Sequence, residues 1–153
     1  MEEGFSAWVS PHLPAMHRYA ARLVDPADAD DVVQEALTRA WQRWSTYDAG
    51  RGESLGWLLA IVRDKARRHR TRTKVWLPLD QAGESSQEAA AADVDLERAV
   101  LALSTRQRQV IELYYFVGAD IATCATALGV AEGTIRATLH HARAELRRRL
   151  ELS

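Results

Sequence analysis

The stretch from Asp120 to Arg143 leaves a folding chain few choices. Asp120 is placed to cap a short helix whose inward residues are Ile121, Cys124, Ala125 and Leu128, and Gly129 supplies a turn position where a residue without Cβ takes positive φ. Val130 then fills the angle. A final helix beginning near Ala131 buries Ile135, Leu139, Ala142 and Leu146, and its outward sector is Gly133, Arg136, Ala137, His140, Arg143, Ala144 and Arg147. Two helices, a glycine turn and an outward basic face match the spacing of a helix-turn-helix, whose second helix enters the major groove of DNA. A helical hairpin whose basic face merely meets water shares the periodicity, but the Gly129 turn with its flanking apolar register favours the DNA-binding motif. A preceding helix, about Thr105 to Val117, is apolar at Val110, Ile111, Leu113, Tyr114 and Val117 and breaks at Gly118.

The remaining residues read as a second helical unit. Its opening helix spans about Phe5 to Leu23 and ends before Asp25-Pro26. A helix from near Asp28 places Val33, Ala36, Leu37, Ala40, Trp41 and Trp44 in one core-facing sector, with Asp31, Gln34, Glu35 and Thr38 opposite. After a loop at about Ser45 to Glu53, a third helix buries Leu55, Leu58, Leu59, Val62 and Ala66. Its second face carries Trp57, Asp64 and Arg68 with Arg63 and Arg67 beside them. An aromatic among arginines suits single-stranded nucleic acid, the ring stacking on a base while guanidiniums hold phosphates. A solvated basic face with Trp57 filling a core edge fits the same pattern.

The net charge of −1 averages opposites. Arg63 to Lys74 is strongly basic, as is the C-terminal helix with Arg136, Arg143, Arg147, Arg148 and Arg149; between them Asp80, Glu84, Glu88, Asp93, Asp95 and Glu97 face no base. Two basic blocks around an acidic spacer suggest two contacts with a polyanion. The Pro, Gly, Ser and Ala content of roughly Pro78 to Asp93 reads as a linker. The expected fold is therefore all-α, with two small helical domains at residues 1–75 and 99–153 and a flexible acidic linker at 76–98. The single cysteine, Cys124, allows no disulfide framework, and no histidine sits at metal-ligand spacing. No nucleophile constellation or glycine-rich phosphate loop is present, so the expectation is a non-enzyme with no metal and no cofactor. No apolar run nears membrane-span length, and a cytoplasmic protein without membrane insertion is expected.

Four segments in order, Asp28 to Trp41, Trp57 to Asp64, Leu103 to Val110 and Leu128 to Arg143, resemble the extracytoplasmic-function group of bacterial RNA polymerase sigma factors, which keep the domains called region 2 and region 4. The resemblance implies a protein that directs core polymerase to promoters by reading minus-10 and minus-35 elements and helping to open the former. It implies that Asp31, Gln34, Glu35, Thr38 and Arg39 dock on the clamp helices of the polymerase's largest subunit. Tyr47, Arg51, Trp57, Arg63, Asp64, Arg67 and Arg68 would engage the minus-10 element, including its non-template single strand. Glu132, Gly133, Thr134, Arg136, Ala137, His140, His141 and Arg143 would meet the minus-35 duplex, with Arg136 and Arg143 as phosphate or guanine contacts. The flap of the second-largest subunit and an anti-sigma factor join core polymerase and promoter DNA as implied partners, and the acidic linker would thread the RNA-exit path.

The chain departs from the family pattern at particular positions. Asp64 stands where Asn is usual, Ala131 replaces the Ser that would cap the recognition helix, Thr138 and His141 stand where Arg is common, and Cys124 replaces Ile. A stand-alone dimeric helix-turn-helix regulator is the competing reading; it has no need of the Asp31 to Thr38 face or of Trp57.

Overall fold

The computed structural model describes residues 2–47, 53–73 and 88–152. Every regular element among the described residues is helical. The order is α1 (Glu2–Val9), a 3₁₀ turn (Ser10–His12), α2 (Leu13–Leu23), a 3₁₀ turn (Pro26–Asp28), α3 (Ala29–Arg43), a 3₁₀ turn (Trp44–Thr46), α4 (Ser54–Thr73), α5 (Glu88–Ala102), α6 (Thr105–Ile111), a π-helical turn (Glu112–Val117), α7 (Ile121–Leu128) and α8 (Glu132–Leu152).

The expected single opening helix is divided in two. Pro11 and Pro14 lack the N–H that an interior helical position donates, so the chain tightens into the Ser10–His12 turn and restarts with proline in its first turn. Asp25 caps the next 3₁₀ turn, its carboxylate accepting from Ala27 N at 2.9 Å. Helices α2, α3 and α4 then pack on one another. Met16, Tyr19, Val32, Val33, Leu58, Leu59 and Val62 are fully buried between them, and each such Val or Leu stabilises the fold by about 1.5–3 kcal/mol. The core stripe of α3 is rotated from the sequence reading: Val32 joins Val33, Ala36 and Ala40 inside, Leu37 and Trp44 sit at its edge, and Trp41 is 42% exposed.

In the C-terminal half, Ser104 and Gln107 form a reciprocal capping box at the start of α6. The helix expected to reach Val117 stops being α-helical at Ile111. A wider π turn follows, closed by Gly118 at φ 88° and by Ala119 N donating to Leu113 O at 2.9 Å. The capping and turn expectations for the next segment agree with the structure: Asp120 accepts from Thr123 N at 2.8 Å, and Gly129 has φ 67°. Helix α5 begins within the stretch read as linker and buries Ala99 and Val100; residues 74–87, with Asp80 and Glu84, lie outside the described residues. No helix among the described residues is long and apolar enough to cross a membrane.

Among the described residues the two halves share one continuous core, and the most extensive packing between them is α4 against α7. An ideal Cβ on Gly56 would lie 2.5 Å from Thr126 Cβ and 2.9 Å from Thr123 O. Only glycine lets the helices approach so closely.

Candidate nucleic-acid interface

Helix α8 is anchored by Ile135, Leu139 and Ala142, all buried, and this register fixes what faces outward. Gly133, Arg136, Ala137, His140, Arg143, Ala144 and Arg147 are all exposed, as are Glu132, Thr134 and His141; Thr138 is half-buried. Ala131 O accepts from Thr134 N at 3.0 Å and Ile135 N at 3.2 Å, and alanine adds no side-chain acceptor for the first turn. Arg136 is drawn back along its own helix to Glu132 at 3.2 Å. Arg143 instead reaches across to the π turn, where its Nε donates to the Tyr115 hydroxyl at 2.5 Å and its guanidinium lies 5.5 Å and 5.7 Å from the Tyr115 and Tyr114 ring centres.

The residues expected to meet the opened strand are split between two settings. Trp57 is half-buried in an aromatic cluster, 5.1 Å from the Tyr47 ring and 5.9 Å from the Trp8 ring, with Trp44 and Phe5 continuing the cluster. Tyr47 is thus Trp57's packing neighbour, and Arg51 lies outside the described residues. One turn and more along α4, Arg67 and Arg68 are exposed and Arg63 is half-buried. Asp64 accepts from Arg67 at 2.9 Å and lies 3.5 Å from Arg68. That carboxylate is thereby offset by cations of its own helix.

On α3, Asp31, Gln34, Thr38 and Arg39 are exposed along one face. Glu35 is half-buried, and its carboxylate meets Arg72 of α4 at 3.2 Å, a partner 37 residues away that helical periodicity could not reveal. Beside this face Phe5, Leu37, Thr38 and Trp41 line a shallow apolar depression.

A polar cluster ties the halves together. Arg22 of α2 makes a two-pronged bond to Glu97 of α5, at 2.5 and 3.1 Å, stands 3.5 Å from Glu112 of the π turn, and stacks 3.9 Å over the Phe116 ring. Arg18 donates twice to Val117 O, at 2.8 and 3.2 Å. Burial pushes the Glu112 carboxyl up to about 7, against the opposing pull of Arg22 and Arg108. Cys124 is buried and its thiol is pushed up to about 11 by burial, which marks it as a core residue rather than a reactive one.

Residues 8–75 match the family model described as Sigma-70 region 2, and residues 93–146 match the one described as Sigma-70, region 4. The chain is 37% identical over 151 residues to the ECF RNA polymerase sigma factor SigL of Mycobacterium tuberculosis, covering 92% of this chain and 85% of that one. It is 33% identical over 152 residues to the RNA polymerase sigma-E factor of Streptomyces coelicolor, covering 95% and 85%. Among solved structures, CnrH in complex with the cytosolic domain of CnrY is similar at a TM-score of 0.73 and 25% identity, covering all of this chain and 91% of that one.

Proposed function

The chain belongs to the extracytoplasmic-function group of the sigma-70 family of RNA polymerase sigma factors, and from that membership we propose how its surfaces divide the work. A sigma factor directs core RNA polymerase to promoters and starts transcription there. In this chain the N-terminal domain takes the polymerase and minus-10 tasks, and the C-terminal domain takes the minus-35 task. The observation that carries this reading is the register of α8, which buries Ile135, Leu139 and Ala142 and leaves Arg136, His140 and Arg143 on one open face. A stand-alone regulator leaves the region 2 match unexplained.

The exposed Asp31, Gln34, Thr38 and Arg39 face, with Glu35 held at its edge by Arg72, is the polymerase-docking surface. Arg63, Arg67 and Arg68 hold the phosphates of the opened non-template strand, and Tyr47 and Trp57 supply the aromatic wall against which an extruded base stacks. The two element names place the contacts about 25 base pairs apart, on the order of 80 Å at 3.4 Å per base pair. Helices α4 and α7 are in direct contact. Reading both elements therefore requires α7 to leave α4, and a partner that binds the joined form opposes promoter use. The similar CnrH structure was solved with the cytosolic domain of CnrY bound, which supports a cytosolic anti-sigma partner for this chain as well.

The test is gel filtration of the full chain with core polymerase. Co-elution at one-to-one stoichiometry supports the assignment; separate elution at micromolar concentrations of both contradicts it.

A further inference from the structure

We propose that Tyr115 and Arg143 form a DNA-backbone clamp at the far end of the recognition helix, a role that rests on the region 4 reading and adds a residue from outside the helix-turn-helix. Three observations lead to it.

The first is position. A recognition helix meets base edges with its N-terminal residues. Arg143 lies seven residues beyond Arg136, about 10 Å along the axis at 1.5 Å per residue, and on the same exposed face. A side chain there passes the base edges and meets the sugar-phosphate wall of the groove.

The second is preorganisation. A free arginine on a surface loses considerable rotamer freedom on binding. Arg143 already has its Nε bonded to the Tyr115 hydroxyl at 2.5 Å, and its guanidinium lies 5.5 and 5.7 Å from the Tyr115 and Tyr114 ring centres, so the side chain is held in place before DNA arrives. Because the phenol oxygen accepts this bond, its own proton is free to donate. The guanidinium N–H groups not used by this bond and the phenol O–H then lie side by side as donors, and donors alone suit a phosphate, whose non-ester oxygens are acceptors only.

The third is why Tyr115 is there. It is 52% exposed despite its size, in a turn whose neighbours Leu113 and Val117 are buried. The π turn of Glu112–Val117 adds an extra residue to the turn and sets the phase at which Tyr115 projects toward α8. Periodicity leaves Tyr115 off the apolar stripe of this segment, but its pairing with Arg143 of α8 is a contact between helices that no local pattern encodes.

The experiment measures binding of the full chain to a mixed-sequence duplex of about 30 base pairs, by fluorescence anisotropy between roughly 50 and 200 mM salt. Phosphate contacts are blind to sequence, so no promoter need be known. Arg143→Ala should lower affinity and reduce the slope of log K against log salt by about 0.9, the value of one phosphate contact. Tyr115→Phe keeps the ring and the fold; it should weaken binding about three- to tenfold at each salt concentration. In the Arg143→Ala background the same change should cost about twofold or less, because the guanidinium it orients is gone. Unchanged melting by circular dichroism checks that Tyr115→Phe acts on binding. If Arg143→Ala weakens binding while Tyr115→Phe binds like the parent, the clamp is wrong and the region 4 reading stands. If Arg143→Ala changes neither affinity nor slope, the clamp falls and Arg143 leaves the region 4 contact set with it.

Discussion

Gly56 of α4 and Thr126 of α7 meet so closely that a Cβ on the glycine would overlap the threonine side chain, at 2.5 Å from its Cβ and 2.8 Å from its Cγ2. Helices α4 and α7 thus share a surface through a residue that has no side chain. Replacing Gly56 with alanine should destabilise the joined form by about 1–3 kcal/mol, the cost typical of overpacking. Small-angle scattering checks this: the radius of gyration of Gly56→Ala should rise, and a radius equal to the parent's contradicts the tight contact.

Glu112 makes the joined form sensitive to pH. Its carboxyl, ordinarily at 4.5, is raised to about 7 by burial, with a smaller upward push from Glu97, against the pull of Arg22, Arg108 and Arg70. Between those two values the folded protein holds a proton that the unfolded chain has released, so stability falls as pH rises through the window and levels off above about 7. Glu112→Gln keeps an acceptor near Arg22 but cannot ionise. Urea denaturation should show the variant gaining on the parent from pH 4.5 to 7; a difference that is flat across that range contradicts the assignment.

The recognition helix starts without a side-chain cap, because Ala131 offers only its carbonyl to Thr134 and Ile135. Ala131→Ser supplies an acceptor for an N–H of the first turn and should add about 1 kcal/mol. A melting temperature raised by a few degrees is the expected result, and an unchanged one speaks against an unsatisfied helix start.

How much of this was legible in the sequence depended on how far apart the partners lie. The Asp120 cap, the Gly129 turn and the α8 register involve residues within a few positions of each other, and periodicity with turn chemistry located all of them. Leu58, Leu59, Val62 and Ala66 of α4 followed for the same reason, whereas Leu55 is only half-buried and Ile61, outside that stripe, is buried. Pairings across the chain were invisible: Arg22 with Glu97 and Glu112, Arg72 with Glu35, and Gly56 with Thr126 are set by how helices pack, which no local pattern encodes. The π turn of Glu112–Val117 departs from the 3.6-residue period that the apolar stripe suggests for Thr105 to Val117; Tyr115 lies off that stripe and is exposed, but its bond to Arg143, 28 residues away, is not encoded locally. Trp41 was misplaced because it sits at the margin of the apolar sector, where a small rotation decides between core and solvent.

The acidic face of α3 supplies a prediction for polymerase binding. Asp31 is exposed, so Asp31→Lys reverses a charge without touching the core. It should weaken association with core polymerase by roughly tenfold or more, since like charges juxtaposed at an interface cost several kcal/mol. Helicity should stay constant. Glu35→Lys should lose more, because it also places a second cation against Arg72. A competition assay against the unmodified chain measures both; equal affinity of Asp31→Lys and the parent removes this face from the interface.

The most direct measurement of the central claim is transcription by core polymerase, with and without the chain, from a pool of promoter fragments, with the 5′ ends of the transcripts sequenced. The account predicts starts that appear only when the chain is added and that lie downstream of two short shared elements at a fixed spacing. No chain-dependent start on any fragment, from a polymerase that initiates normally with another sigma factor, contradicts it.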